Sequence, residues 1–392
     1  MRPVHLVRVP VITLLTVLTL SSCSLFMGTS VEGAASRSEI ERRLGLAPFA
    51  YVAETEHDYS NIQQNIYELR GKLAFIDSVT DMLVDSIEPD MLTIFLQVLD
   101  GISNTFSNVS LQKVAVSPDG TRIYVTDAYQ PYLHVFDADT HHYIMAIELP
   151  GVEPRTKLTM EDMVNPLSDE IIPYTLFSVN CSSDVACTPD GKNVLVSSNA
   201  GLQIIDAETN QVVKTIPDIN GTHIAISFDG SRAYIGTNNL AELEPRSYAD
   251  WYRLIYTSEE FSLIVLDLLS WEVLAEIKTY AIGDIAVRPD EPEVYFSESF
   301  QKRVRVVDAQ TLEDLCQFNT EPSFSFGIGF LPDGSKAYIV CAADGLHPSV
   351  VIDSVNGFEP PDFGQPKAED FFCAVFNTKT KQVFKKIPLN AY

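Results

Sequence analysis

Side chains that could support catalysis or metal binding are sparse in this sequence. It contains seven histidines and six cysteines, and none of them stands in a His-Glu-x-x-His, Cys-x-x-Cys or Cys-x-x-Cys-His motif, the spacings typical of zinc sites and attached haem. A Gly-x-Ser-x-Gly elbow, a P-loop and an Asp-x-Asp-x-Asp-Gly calcium loop are also absent. The sequence therefore predicts no metal site and no cofactor.

The first cysteine, Cys23, follows a segment with the three parts of a secretory signal. Arg2 and Arg8 precede an apolar stretch over 9–20, and small residues lead into the cysteine. The apolar stretch is shorter than the roughly 20 residues that a transmembrane helix needs. Residues 20–23 (Leu-Ser-Ser-Cys) resemble the lipobox of bacterial lipoproteins, in which the signal is cleaved before a cysteine that carries diacylglycerol. The resemblance implies a lipid anchor on Cys23, and an ordinary secreted protein is the alternative.

The composition predicts the domain organisation and limits the classes of molecule that the protein is expected to bind. Residues 1–22 are expected to be the signal peptide, 23–44 the lipidated cysteine with a flexible tether, and 45–392 one folded domain. The formal net charge of −26 becomes −28 once residues 1–22, with two arginines and no acid, are removed. Nucleic acid is thereby excluded as an expected partner, because phosphate binding depends on lysine and arginine. We expect a protein of the bacterial cell envelope, anchored to a membrane and facing the periplasm or the cell surface.

Two short turn motifs recur along residues 45–390 and indicate a structural repeat. The first is Pro-Asp-Gly, at 118–120, 189–191 and 332–334, with variants at 228–230 and 289–291. The second is Asp-Ala-x-Thr, with full copies beginning at Asp137, Asp206 and Asp308 and looser copies beginning at Asp77, Asp267 and Asn377. Both have the residue types of tight reversals between short strands. Four short antiparallel strands per repeat are typical of a β-propeller blade.

The strand after the first turn carries a tetrapeptide that links the chain to a known family. It reads Tyr-Val-Thr-Asp at 124–127, Tyr-Ile-Gly-Thr at 234–237, Tyr-Phe-Ser-Glu at 295–298 and Tyr-Val-Ala-Glu at 51–54. In this the sequence resembles the YVTN-repeat β-propeller family. The resemblance implies an all-β fold, a single propeller of four-stranded antiparallel blades. Six copies of the second marker favour six blades, and seven is the alternative.

Extra residues are inserted between most repeats, and strand order places all of them on one face. Successive second markers are 60, 69, 61, 41 and 69 residues apart, and about 40 is the length of a bare four-stranded unit. The predicted insertions are 54–71, 88–112, 151–184, 240–261 and 342–370. Loops on a rigid scaffold commonly carry binding residues, so this face is the predicted binding rim. Its candidate anchors are aromatic residues: Tyr59, Tyr174, Tyr248, Trp251, Tyr252 and Phe358.

Five cysteines follow Cys23, and an exported chain permits disulfides. Cys341 and Cys373 fall on consecutive predicted strands of the last repeat, so they are a candidate pair. Cys181 and Cys187 are a second candidate pair, which would leave Cys316 unpaired. Buried free thiols are the alternative.

Two functions remain open from the sequence. The first is a non-enzymatic lipoprotein scaffold that binds a protein or glycan through the rim, with no catalytic residues. The second is a propeller enzyme, a lactonase-like hydrolase or a quinone-dependent dehydrogenase, activities that occur among relatives of the family. His223, at the start of a predicted inner strand, is its candidate catalytic residue, although a histidine in that place is more often part of a core.

Overall fold

The computed structural model of the chain is all-β and built from small antiparallel sheets. Its described residues contain one three-stranded sheet, five four-stranded sheets and a 3₁₀ turn at Ser299–Gln301. The predicted all-β class and the four-stranded antiparallel unit are confirmed. The described residues are 49–58, 68–77, 82–87, 111–128, 130–152, 181–237, 257–320, 323–331, 334–342 and 372–388.

Each sheet is a simple meander in chain order, with neighbouring strands hydrogen-bonded. The first sheet is β1 (Phe49–Asp58), β2 (Glu68–Asp77) and β3 (Met82–Ile87). The second and third are β4 (Leu111–Val116), β5 (Arg122–Asp127), β6 (Tyr132–Asp137), β7 (Tyr143–Glu148), then β8 (Ser182–Cys187), β9 (Asn193–Ser198), β10 (Gly201–Asp206), β11 (Gln211–Ile216). The fourth and fifth are β12 (Gly221–Ile226), β13 (Arg232–Thr237), β14 (Phe261–Asp267), β15 (Val273–Thr279), then β16 (Ile282–Val287), β17 (Glu293–Glu298), β18 (Arg303–Asp308), β19 (Asp314–Asn319). The sixth is β20 (Phe324–Phe330), β21 (Lys336–Ala342), β22 (Phe372–Asn377), β23 (Gln382–Pro388).

Successive sheets pack with their first strands side by side, which is a propeller-like arrangement. The first strands β4, β8, β12, β16 and β20 contact one another in that order. The apolar core lies between the facing sheets, and the tyrosine of the recurring tetrapeptide belongs to it: Tyr124, Tyr234 and Tyr295 are fully buried. The Tyr234 hydroxyl donates to the carbonyl of Ala309 in the next sheet, 2.8 Å away. In these three sheets the recurring tyrosine fills the same place in the core.

Both turn motifs reverse the chain as the sequence predicts. In the first turn, Asp119 accepts the Thr121 N–H (3.1 Å) and Gly120 has φ +70°. In the second, Asp206 accepts the Thr209 N–H (2.7 Å) and the turn ends on Asn210 at φ +57°. The pKa values of Asp119 and Asp206 lie below the ordinary aspartate value. For Asp119, burial acts to raise the pKa, but the hydrogen bonds donated to its charged form outweigh it, and for Asp206 the donated bonds are the main cause.

Long and short connections leave the sheets on opposite faces. The connections that contain the two turn motifs are four or five residues long and define the turn face. The opposite loop face has every long connection: 59–67, 88–110, 149–181, 238–260 and 343–371. The predicted insertion over 54–71 is shorter than expected, because β1 and β2 extend through 58 and from 68.

The first sheet matches strands two to four of the other sheets. β1 contacts β4, the first strand of the second sheet, as β5 contacts β8 and β17 contacts β20. The second turn marker, at 77–80, separates β2 from β3 just as Asp206 begins the turn between β10 and β11. In the described part of the chain, this sheet therefore starts at the second strand position.

Polar bonds tie the turns of neighbouring sheets on the turn face. Arg122 donates to the carbonyl of Ala207 (2.7 Å) and to Asn210 Oδ1 (2.9 Å) in the next sheet. Glu293 occupies the position of Arg122 in the fifth sheet and reverses the polarity, since it accepts from Lys381 Nζ of the sixth sheet at 2.5 Å. The charge pattern changes between repeats while the link between turns is kept.

Replacing Lys381 with Met should destabilise the protein by about 1–3 kcal/mol, because Glu293 is largely buried and would lose a charged donor. Arg288 also bonds Glu293, which limits the loss. The matched control is Lys379→Met, an exposed lysine in the same turn, which should change stability by less than about 0.5 kcal/mol. Urea unfolding of the two variants measures the difference. Equal effects would mean that the bond between the sheets contributes nothing.

Candidate functional site

Four inner strands each bring one ionisable side chain to the same level of the structure. Lys113, Asp184, His223 and Asp284 are the third residues of β4, β8, β12 and β16, and we call them the inner-strand cluster. In each of these strands a β-bulge lies beside or at this residue. The first strand has one extra residue there relative to the second strand with which it pairs. A bulge of this kind re-aims the side chain next to it. The cluster is therefore a repeated feature of the sheets.

The two aspartates bond across the gap to the next sheet. Asp184 Oδ2 accepts the N–H of Ile224 at 2.8 Å, and Asp284 Oδ2 accepts the N–H of Ile328 at 2.7 Å. Both acceptors are buried. Each carboxylate thus satisfies a backbone donor that the neighbouring inner strand leaves open, and it fixes the spacing between sheets.

His223 lies between these two bonds. Its Nδ1 atom is 3.8 Å from Asp284 Oδ1, and it has no hydrogen-bond partner among the described residues. Burial, followed by the positive charge of Lys113, lowers the pKa of His223 to about 3. The imidazole is therefore neutral at neutral pH.

Burial raises the pKa of both aspartates in the cluster. For Asp284 the pKa rises to about 7, because desolvation outweighs the charge of Lys113 and the Ile328 bond, and Asp184 adds repulsion. The pKa of Asp184 is also raised by burial, with Lys113 and the Ile224 bond acting the other way. A carboxyl that titrates near neutral pH beside a neutral imidazole can both donate and accept a proton.

Buried serine hydroxyls accompany the two aspartates. Ser197 is paired with Asp184 in the register, and Ser297 is paired with Asp284. Residues directly opposite in an antiparallel pair share a sheet face, so each hydroxyl lies on the side of its aspartate. The Oγ atoms of Ser197 and Ser297 are fully buried and have no hydrogen-bond partner among the described residues. Such groups bind ordered water or a ligand hydroxyl when one is at hand.

A second charged group lies on the fifth sheet. Glu298 is fully buried and accepts hydrogen bonds from Thr279 Oγ1 (2.5 Å), Arg305 (3.3 Å) and Arg303. Arg303 lies over the ring of Tyr280, 5.4 Å from its centroid. These residues lie where the connections on the loop face are short, at 280–281 and 299–302.

The predicted rim anchors are outside the described residues. This applies to Tyr59, Tyr174, Tyr248, Trp251, Tyr252 and Phe358, and also to Cys23. Their assignment to a binding rim stays a prediction. The structure adds that the strands bounding 59–67, 149–181, 238–260 and 343–371 all end on the loop face.

Cys341 and Cys373 are separate thiols in the structure, and their pairing stays a prediction. Cys341 is paired with Phe372 and Cys373 with Val340. The two cysteines are therefore one step out of register, and successive residues of a strand point to opposite faces. Cys181 and Cys187 are also free. The arrangement of these thiols is that of the free-thiol alternative.

Native thiol labelling should leave Cys187 and Cys341 unmodified. Burial raises the pKa of each to about 12, and the thiolate is the reactive form. Iodoacetamide at pH 8 followed by peptide mass mapping measures this, and urea-unfolded protein should label fully. A Thr209→Cys variant, with a cysteine in an exposed turn, is the control for reagent reactivity. Labelling of Cys187 or Cys341 as fast as that control would contradict the burial.

Sequence reasoning found His223 but missed its neighbours Lys113, Asp184 and Asp284. A signal was available, because each of these four inner strands ends in small or apolar residues and has a polar third residue. Aligning the repeats on the first turn would have placed those residues at one level.

No group of three or more metal-ligating side chains occurs in the described ranges. No helix within those ranges has the length and apolar character needed to span a bilayer.

No protein-family model matches the chain, and no curated protein is found that is similar to it.

Proposed function

We propose that this protein is an exported, membrane-anchored β-propeller lipoprotein that binds a protein or glycan through its loop face. The sheets would close into a ring of six blades, with residues 23–44 as the tether to the membrane. The observation that carries the proposal is the separation of connections, since all five long ones leave on the loop face and only four- or five-residue turns form the other. A rigid frame that concentrates its variable segments on one face is suited to recognition.

The residue types in the long connections fit that role. They supply Tyr174, Tyr248, Trp251, Tyr252 and Phe358, side chains that give large contact areas for little conformational entropy. Carboxylates occur among them, and these can bind sugar hydroxyls or basic side chains. The partner would be a protein or glycan of the cell envelope.

Site-specific photocrosslinking tests the binding role. A photoreactive phenylalanine analogue placed at Trp251 should capture a defined envelope protein or glycan in intact cells. The same analogue at Thr209, on the turn face, should not capture it. Addition of purified wild-type protein to permeabilised cells should compete for the adduct. Equal capture from both positions would contradict the proposal.

The lipid anchor is tested separately with Cys23→Ala. This variant should move from the membrane fraction to the soluble fraction, because acyl chains contribute about 0.8 kcal/mol per buried methylene to membrane binding. Cys316→Ala is the matched control and should stay with the membrane. Retention of Cys23→Ala in the membrane would contradict lipidation.

A second candidate is a propeller enzyme, and the inner-strand cluster favours it. His223 would act as general base and Asp284 as general acid toward a substrate such as a lactone. Both aspartates also make bonds between sheets, which is a structural role that requires no substrate. Turnover of lactones or sugars that is abolished by His223→Gln in a folded protein would favour the enzyme over the scaffold.

A further inference from the structure

The fourth sheet departs from the other repeats on the turn face. Phe228 stands where the other first turns have proline, at 118, 189, 289 and 332. Leu269 stands where the second turns of the other four-stranded sheets have a charged residue or an amide: Asp139, Glu208, Gln310 and Lys379. The other four-stranded sheets form the same two turns without an apolar side chain of this kind at these positions. Phe228 and Leu269 are therefore not needed to form their turns. The turn bonds are the same, since the N–H of Leu269 is donated to Asp267 (3.0 Å) as the N–H of Gln310 is donated to Asp308 (2.8 Å).

These two residues are exposed, and two further exposed apolar residues lie on the same sheet. Leu269 is 92% exposed and Phe228 is 57% exposed. The turns that carry them are joined, because the N–H of Leu268 donates to the carbonyl of Ser231 at 2.9 Å. Val273 and Leu274, which begin β15, are about half exposed. We call Phe228, Leu269, Val273 and Leu274 the turn-face patch.

The concentration of apolar surface is specific to this sheet. In the part of the chain whose side chains are described, eight large apolar residues are exposed, and four of them form the turn-face patch. The other four lie one in each remaining four-stranded sheet, at the bulge of the outer strand, as Leu274 of the patch does in the fourth sheet: Ile144, Val213, Leu315 and Phe384. Among the described side chains, Phe228, Leu269 and Val273 are therefore the exposed apolar residues that the fourth sheet has in addition. A single exposed residue at that bulge is ordinary, whereas additional apolar residues on two joined turns indicate a contact surface.

The charges around the patch are negative. The two turns and the start of β15 carry Asp229, Asp267 and Glu272, with Arg232 as their one cation. Arg232 donates to the carbonyls of Ala309 and Gln310 in the next sheet. A partner with basic residues around an apolar anchor complements this surface. A second copy of the chain would oppose the same carboxylates, and an anionic membrane would be repelled by them.

We propose that the turn-face patch docks a basic segment of another protein, whose apolar side chain covers Phe228 and Leu269 while its lysines or arginines pair with the surrounding carboxylates. This contact is on the face opposite the long connections. It does not depend on what the loop face binds.

The test uses the purified chain and a fluorescent peptide with a Leu-Phe-Leu core flanked by two lysines on each side. Binding by anisotropy should weaken at least tenfold in the double variant Phe228→Pro, Leu269→Gln, which installs the residues found in the other turns. Leu315→Gln, a bulge residue of the fifth sheet, is the matched control and should bind as the wild type does. Peptides with glutamate flanks or a serine core should bind at least tenfold more weakly. Circular dichroism and urea unfolding establish that the double variant is folded.

Each other result would overturn the proposal. Absence of peptide binding would mean that the patch does not dock such a segment. Binding that is unchanged in the double variant would mean that the peptide is attracted unspecifically to the acidic chain. Concentration-dependent dimerisation that the double variant abolishes would assign the patch to a second copy. Flotation with vesicles of phosphatidylcholine and phosphatidylglycerol, lost in the same variant, would assign it to a membrane.

Discussion

Asp284→Asn should become more stable relative to the wild type as the pH rises from about 4 to about 7. The pKa of Asp284 is about 7 in the folded protein and 3.8 as a free side chain. The folded wild type therefore holds a proton that the unfolded chain releases, and its stability falls as the pH rises through this window. Asparagine does not titrate there and keeps an oxygen to accept the Ile328 N–H. The relative gain should approach about 4 kcal/mol, at about 1.4 kcal/mol for each pH unit.

His223→Gln should show the opposite trend. The pKa of His223 is about 3 in the folded protein against 6.5 for a free side chain, so the unfolded chain binds the proton first. The wild type gains stability as the pH rises from about 3 to 6.5, and the glutamine variant does not. Its stability relative to the wild type should therefore fall over that range. Lys113 and Asp184 are present in all three proteins, and their coupling to the substituted residue is part of each measured trend.

Urea unfolding of the three proteins at intervals between pH 4 and pH 8 measures both trends. The opposite signs make the result decisive. If His223 and Asp284 formed an ion pair in the folded protein, the pKa of the histidine would be raised and that of the aspartate lowered. His223→Gln would then gain stability relative to the wild type as the pH rises above 6.5, because the wild type alone would lose the proton that stabilises its ion pair. That result would make the assignment of a neutral imidazole wrong.

Gly201→Ala should destabilise the protein by about 3 kcal/mol or more. Gly201 begins β10 at φ +105°, a conformation that side chains rarely adopt. A Cβ atom there would lie 2.3 Å from the carbonyl oxygen of Ile216 and 2.7 Å from the Cα of Pro217. Both are backbone atoms, so relief requires β10 and β11 to separate.

The control for this prediction is Gly191→Ala. Gly191 also has a positive φ, +70°, but the nearest atom to its Cβ would be Pro118 Cδ at 3.9 Å. This variant should therefore show only the conformational cost, about 1–2 kcal/mol. Thermal unfolding of the two variants separates the clash from the backbone strain. A loss for Gly201→Ala no larger than that for Gly191→Ala would show that the strands adjust freely.

Local sequence signals predicted much of the fold because they act over a few residues. The turn at 118–120 needs only proline, aspartate and glycine, and the structure has the expected reversal there. The recurring tyrosine was visible as a pattern, but its reason was not. Only the packed sheets show that Tyr234 reaches Ala309, 75 residues away. Likewise, the spacing of Cys341 and Cys373 suggested a disulfide, whereas the register places their side chains on opposite faces.

The sequence by itself determined the repeating antiparallel unit and the separation of long and short connections. Both follow from turn chemistry and from the alternation of direction in a meander. Only the tertiary structure decided what the inner strands bring together. Lys113, Asp184, His223 and Asp284 are up to 171 residues apart in the sequence, and they meet because the sheets stack with their first strands adjacent. The burial that shifts the pKa values of Asp184, His223 and Asp284 is a property of that stacking and of no local segment.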